Sequence, residues 1–256
     1  MDLGIKGKVA LVTGATRGIG RRIAECFADE GAGVAVCARN ADEVSATVAA
    51  LAAKGVSAWG QAADMTRPGD IDAFVAGAAA ALGGIDMVVS NVSALSLEGD
   101  DAAWRAMFEI DMLGAVRLFS AALPHLQAAG ARSGDAAFTA ISSIVAGEPY
   151  KPSPYSAMKA ALINYVKGAA RLHAPQKVRC NVVAPGNVYF EGGVWERMKR
   201  ERPDFYNDWI ARNPTGRMAT ADEIATATVF LSSPRSAFTT GTTLVVDGCL
   251  TQHALF

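Results

Sequence analysis

Seven short apolar runs, rich in β-branched residues, alternate with longer Ala-rich segments along most of this chain, at residues 8–13, 33–37, 57–62, 85–89, 136–141, 178–183 and 243–246. The runs are near-continuously apolar, which suits parallel strands covered on both faces. The intervening segments predict helices near 18–30, 42–54, 68–82, 101–129, 153–173 and 221–231. Such repetition builds right-handed βαβ units, so the expected fold class is α/β. The expected sheet is doubly wound, mostly parallel and seven-stranded, with helices on both faces. A (β/α)8 barrel needs an eighth strand and a different first turn. At 256 residues the chain is expected to form a single domain, 1–256, whose folding buries roughly 70–75% of its surface.

The first turn carries chemistry. Strand KVALVTG runs into Gly14-Ala15-Thr16-Arg17-Gly18-Ile19-Gly20 and then into a helix. Glycines at this spacing allow a tight turn, let backbone approach a pyrophosphate, and pack helix on strand. The helix amino terminus then presents free N–H groups and partial positive charge to the anion. The sequence therefore predicts a Rossmann-like dinucleotide site. The end of the second strand reads Val36-Cys37-Ala38-Arg39-Asn40, with no carboxylate to accept a ribose 2′-hydroxyl. Arg39, with Arg17 in the glycine loop, suits a 2′-phosphate through charge-assisted hydrogen bonds. NADP(H) is the favoured cofactor, with NAD(H) as the second choice.

Composition narrows the class. Lys+Arg 24 against Asp+Glu 25 leaves a formal charge of −1, with no basic excess to track a nucleic-acid backbone. An apolar fraction of 51% with 19% charged residues is that of a globular protein. Cys26, Cys37, Cys180 and Cys249 are scattered without metal or disulfide spacing, which reads as reduced thiols and no metal site. Neither a signal-peptide pattern nor an uninterrupted membrane-length apolar run is visible, so the expectation is a cytoplasmic protein with no membrane partner.

The segment Ser153-Pro154-Tyr155-Ser156-Ala157-Met158-Lys159 opens a helix and places Tyr155 and Lys159 on one face. A free phenol titrates near pH ~10, and an adjacent ammonium favours its phenolate, bringing acid–base work toward neutrality. Upstream, DAAFTAISS ends at Ser142-Ser143, at the carboxyl edge of the sheet where ligands bind in doubly wound folds.

With TGATRGIG (13–20), SNVS (90–93), ISS (141–143), YSAMK (155–159), NVVAPG (181–186) and LVVDG (244–248) in this order, the whole chain resembles the short-chain dehydrogenase/reductase family, with a 3-oxoacyl-carrier-protein-reductase-like character. The resemblance implies that Tyr155 is the general acid or base, and that Lys159 binds the nicotinamide ribose and tunes the phenol. It implies a serine, Ser143 in preference to Ser142, that holds the substrate oxygen. It further implies a cofactor set of Gly14, Thr16, Arg17, Gly18, Ile19, Gly20, Arg39, Asp64, Met65, Asn91, Tyr155, Lys159, Pro185, Gly186 and Val188. In that set Asp64 binds the adenine amino group and Asn91 lines the adenosine side. Pro185, Gly186 and Val188 hold the nicotinamide carboxamide.

Four positions depart from the family pattern. Ser143 stands 12 residues before Tyr155 and Ser142 stands 13 before it, where 13 is usual. Asp111 replaces the asparagine that holds a relay water; it is either catalytic or the cap of a helix kink. The usual NNAG reads Ser90-Asn91-Val92-Ser93. The threonine of PGxVxT becomes Phe190.

Residues 188–217 break the strand–helix alternation with aromatics and charges, and are expected to form a substrate lid of one or two short helices. The lid aromatics Phe190, Trp195, Phe205, Tyr206 and Trp209 suit an acyl, cyclic or aromatic carbonyl compound. The leading reading is hydride transfer between nicotinamide and a small-molecule ketone or secondary alcohol. The alternatives are a β-ketoacyl thioester reductase and a catalytically quiet cofactor-binding protein on the same fold. The family pattern implies a dimer or tetramer through the helices of 101–129 and 153–173 and the last strand with its CLTQHALF tail.

Overall fold

The computed structural model describes residues 2–96 and 98–253. The strands are β1 Val9–Thr13, β2 Gly33–Ala38, β3 Ala58–Ala62, β4 Met87–Ser90, β5 Ala136–Ile141, β6 Val178–Pro185, β7 Val188–Tyr189, β8 Ala219–Thr220 and β9 Thr243–Val246. Seven of them form one sheet in the order β3-β2-β1-β4-β5-β6-β9, and every pairing in it is parallel. The order reverses between β1 and β4, which opens a crevice at their carboxyl ends. This is the doubly wound sheet expected from the sequence.

Side chains alternate across each central strand, so the sheet feeds two cores. Leu11, Val88, Phe138 and Val182 pack on one face, and Ala10, Val12, Val89, Ala137 and Val183 on the other. The first face is covered by α3 Pro68–Leu82, α5 Gly114–Ser133 and α6 Pro154–His173, the second by α1 Gly18–Asp29 and α9 Ala221–Ser232. The remaining helices are α2 Ala41–Ala52, α4 Asp101–Met107, α7 Val194–Glu201 and α8 Pro203–Arg212. Arg179 of β6 is buried. It pairs with Asp135 and donates to the carbonyls of Leu231, Ser232 and Ser233, capping the end of α9.

The single helix expected over 101–129 is divided. After α4 the chain widens into a π-helical turn, Phe108–Leu113, before α5 resumes. The extra residue in such a turn re-aims a side chain, and here Asp111 faces the interior with 2% of its surface exposed. Gly114 follows because a Cβ there would press on the Met65 side chain at 3.2 Å. Within 188–217, α7 and α8 lie between the two strands of the small parallel pair β7 and β8. Among the described residues, no helix is long and apolar enough to cross a membrane, and no cluster of His, Cys, Asp and Glu suits a metal. Residues 254–256 of the CLTQHALF tail lie outside the described residues.

Candidate active site

The glycine loop joins the end of β1 to α1. Gly14 and Gly18 adopt positive φ of 64° and 56°, a region that glycine enters at no steric cost. Gly20 has a different reason: a Cβ there would run into the Gly14 carbonyl and the Asn91 amide. Asn91 holds the loop from behind, its Nδ2 donating to the Thr13 and Gly14 carbonyls at 3.1 Å each. Its backbone N–H donates to Thr13 Oγ1 at 3.1 Å. The structure thus commits the Asn91 amide to shaping the loop, a duty that the resemblance to NNAG did not reveal.

No side chain caps α1, and its first turn holds no acidic residue. The terminal N–H groups and dipole are left for an external anion. A cradle that excludes a Cβ beside an uncapped helix terminus fits the pyrophosphate of a dinucleotide. Arg17 and Arg39 are both exposed beside it. Asp64 follows β3, and the Thr66 N–H, donating at 2.9 Å, holds its carboxyl below the usual range. Met65 beside it is buried against α3 and α5 as part of the core.

On the other side of the crevice, Gly186 lies so close to Asp247 that a Cβ would sit 2.8 Å from the Asp247 Cβ, and its N–H donates to the Val246 carbonyl at 3.0 Å. The NVVAPG and LVVDG segments are therefore two sides of one backbone contact. Pro185 ends β6, and Val188 begins β7 with its side chain in the core. Phe190 lies over the glycine loop, its ring 2.6 Å from where a Cβ on Gly18 would stand.

Ser153 starts α6: its Oγ accepts from the Ser156 N–H at 3.2 Å, and Pro154 occupies the first turn, where its missing N–H costs nothing. Tyr155 is half-buried, and the Lys159 ammonium lies 5.7 Å from its ring centre. The Lys159 ammonium is held from two sides. Its Nζ donates to the Ile141 carbonyl at 2.9 Å and stands 3.0 Å from Asp111 Oδ1. That approach lies off the hydrogen-bonding directions, leaving Oδ1 in ionic contact without a directed donor. Asp111 Oδ2 accepts from the Ala94 N–H at 2.8 Å. The π-turn therefore delivers a carboxylate directly to the ammonium, and the same carboxylate anchors the chain after β4.

The two serines differ in what they have left to give. Ser142 Oγ donates to the Lys159 carbonyl at 3.0 Å, so its proton is spent on α6. Ser143 Oγ accepts from the Val145 N–H at 3.4 Å, which leaves its own proton for another acceptor. The residues predicted from sequence thus gather along the carboxyl edge of the sheet.

A family model described as enoyl-(acyl carrier protein) reductase matches residues 14–251. The chain belongs to the short-chain dehydrogenase/reductase family. It is 33% identical over 255 residues to isoepoxydon dehydrogenase of Penicillium expansum, covering 97% of this chain and 96% of that one. It is 36% identical to cis-4-hydroxycyclohexanecarboxylate dehydrogenase of Sinomonas cyclohexanicum, covering 94% and 95%. Among solved structures, L-sorbose reductase of Gluconobacter frateurii, complexed with NADPH and L-sorbose, superposes with a TM-score of 0.90 at 32% identity, covering 99% of this chain and all of that one. This short-chain dehydrogenase/reductase is an NAD(P)-dependent oxidoreductase that interconverts a small-molecule ketone and a secondary alcohol. The quiet cofactor-binding alternative is not favoured.

Three contacts were not read from the sequence. Glu43 accepts from Thr16 Oγ1 at 2.9 Å, and its only sequence signal is its place in the first turn of a helix beside the glycine loop. Tyr150, on the loop before Tyr155, packs edge-on to Trp209 of α8 with ring centres 5.8 Å apart. Glu148 on that loop accepts from the Gln252 N–H at 2.9 Å and pairs with His253 Nδ1 at 2.8 Å. These bonds, the Gln252 N–H first, hold the Glu148 carboxyl below its ordinary range.

Proposed function

We propose that this enzyme reduces ring ketones to secondary alcohols, or runs the reverse oxidation, with NADP(H) preferred and Tyr155 as general acid or base. The observation that carries the proposal is the rigid seating of Lys159 between the Ile141 carbonyl and Asp111, one helical turn from Tyr155.

Gly14, Thr16, Gly18, Ile19 and Gly20 would cradle the dinucleotide, with Arg17 and Arg39 toward a 2′-phosphate and Asp64 toward the adenine. Pro185, Gly186 and Val188 would stand at its nicotinamide end. When bound, the cofactor supplies or accepts the hydride. The protein supplies placement and the proton. Tyr155 donates its hydroxyl proton to the carbonyl oxygen in reduction and takes it back in oxidation. Ser143 holds that oxygen as charge develops on it, because its proton is free while the Ser142 proton is committed. Lys159 keeps N–H capacity for the nicotinamide ribose and places positive charge beside the phenol. Asp111 acts through Lys159 as a positioning residue, replacing a water-holding amide with a direct ionic contact.

The ring preference rests on the relative named for cis-4-hydroxycyclohexanecarboxylate, a ring alcohol, and on the aromatic residues of 188–217. Trp195 stacks on Phe205 at 6.0 Å, and Trp209 packs against both. We assign this segment as the substrate lid. The exposed Trp104, Phe108 and Leu172 on the helices of 101–133 and 154–173 support a homo-oligomer, dimer or tetramer, which light scattering would count. All four thiols are free, as suits a reducing cytoplasm.

The test is NADPH oxidation with cyclohexanone-type ketones, linear ketones and an acetoacetyl thioester. Cyclic ketones should turn over fastest. Tyr155→Phe should cut kcat by at least about 100-fold, the usual yield of one general acid, while leaving NADPH affinity within a few fold. Equal rates for both proteins would end the assignment, and a thioester-only profile would replace the ring substrate by an acyl one.

A further inference from the structure

The strand end that would carry a carboxylate for the adenosine ribose has none here, since Arg39 and Asn40 follow β2. The structure brings a carboxylate to the same corner by another route. Asn40 caps α2, its Oδ1 accepting from the Asp42 and Glu43 N–H groups at 2.9 and 3.2 Å. That cap fixes the first turn, and the exposed Glu43 side chain reaches back to the glycine loop, where Oε2 accepts from Thr16 Oγ1 at 2.9 Å. The loop and the strand end are themselves joined, because the Gly14 and Ala15 N–H groups both donate to the Cys37 carbonyl, at 2.9 and 3.2 Å. Thr47 ties the same turn to α1: its hydroxyl donates to the Glu43 carbonyl at 2.7 Å and accepts from Arg21 at 2.8 Å.

Charges of both signs meet at this corner: Arg67 and Arg39 both act on the Asp64 carboxyl, after the Thr66 hydrogen bonds, and Glu43 is bound to the glycine loop through Thr16. A corner built for a phosphate dianion alone gains nothing from a carboxylate on the glycine loop. A corner that must also take a ribose bearing a free 2′-hydroxyl needs an acceptor there. We infer that Glu43 is the specificity-determining acceptor for the 2′-hydroxyl of NAD(H), and that it makes this oxidoreductase a dual-cofactor enzyme. In this arrangement Arg17 and Arg39 admit the 2′-phosphate, while Glu43 limits their advantage. The inference rests on the dinucleotide site assigned above and adds a residue to it.

Direct binding separates the possibilities without relying on turnover. NADPH and NADH are titrated into the wild-type protein, Glu43→Gln and Glu43→Ala, with quenching of tryptophan fluorescence as the signal. Circular dichroism and the melting temperature verify that each protein is folded. Glutamine keeps an oxygen for Thr16 but loses the charge. The wild type should bind both nucleotides. Both variants should bind NADPH more tightly and NADH more weakly, shifting the ratio of dissociation constants by about tenfold, the scale of one charge-assisted hydrogen bond and one removed repulsion. An unchanged ratio overturns the inference and leaves Glu43 as a support for Thr16. A wild type that binds NADPH and ignores NADH overturns it too, while the cofactor site stands. A wild type that binds neither nucleotide removes the cofactor site and the inference together.

Discussion

On the β1–β2–β4 side of the crevice the decisive contacts involve backbone: Gly20 against the Gly14 carbonyl, Asn91 on two loop carbonyls, and the loop N–H groups on Cys37. On the β5–β6 side, the backbone contact of Gly186 with Asp247 apart, they involve side chains reaching across the fold, with Asp111 on Lys159, Ser142 on the Lys159 carbonyl and Tyr150 on Trp209. The first side rejects added atoms. The second side depends on partners being present, and a missing partner leaves a buried charge or an unfilled lid. The two sides should therefore fail differently when altered.

The largest effect is expected at the buried pair. Lys159 and Asp111 are both about 2% exposed. Removing one partner leaves the other's charge uncompensated in the interior, which costs about 3–5 kcal/mol. Lys159→Met should lose that much in urea denaturation. The double variant Asp111→Asn/Lys159→Met should recover a large part of it, because no lone charge remains. A double variant as unstable as the single one would show that packing, not charge, holds this side together.

Overpacking is the corresponding failure of the glycine side. Gly20→Ala forces backbone apart and should cost about 1–3 kcal/mol, with dinucleotide affinity falling at least tenfold. Gly168→Ala is the control: it lies in α6 with open space around the new methyl, and should stabilise by about 0.5–1 kcal/mol. If Gly20→Ala melts like wild type and binds NADPH normally, the loop yields more than its geometry implies.

This contrast also explains what could be read from the sequence. A backbone constraint leaves its mark at one position, so Gly14, Gly18, Gly20 and Gly186 announce themselves, and the parallel strands show as unbroken apolar runs. Tyr155 and Lys159 share one helix face and were visible for the same local reason. Glu43 on Thr16, Asn91 behind the loop and Tyr150 on Trp209 join residues from different elements, and nothing in their local sequence names the partner. Of the division at Phe108–Leu113 the sequence offered only a helix kink at Asp111 as one of two readings; the π-turn itself does not show because it keeps helical composition. Its purpose appears only when Asp111 meets Lys159.

Within the side-chain half, the lid should respond more mildly than the buried pair. An aromatic edge contact is worth about 0.5–1.5 kcal/mol. Trp209→Ala or Tyr150→Ala should accordingly raise KM for the ketone about 3- to 10-fold, with the NADPH dissociation constant unchanged within twofold. Steady-state kinetics and fluorescence titration separate the two quantities. Equal losses in both would mean that the lid serves the cofactor as well, and the division between the two sides would fall.

The smallest effect belongs to the ion pair at the base of the lid. Arg217 donates to both Glu223 oxygens, at 2.6 and 2.8 Å, and the Thr220 N–H donates to Glu223 at 2.8 Å. Arg217, the largest cause, and then the Thr220 N–H hold the Glu223 carboxyl down at about 2, from its ordinary 4.5. A carboxyl depressed by folding contributes stability above its unfolded value and loses it as pH falls toward the folded one. The pair is exposed, so solvent screening leaves only a small part of that contribution. Wild type should therefore melt slightly above Glu223→Gln at pH 7, and the gap should close between pH 4.5 and pH 2. A gap that persists at pH 2 would assign the stabilisation to the uncharged contact of the Glu223 side chain with the Thr220 N–H, and the lid would then be tied to α9 by the same backbone-centred contacts that build the glycine side.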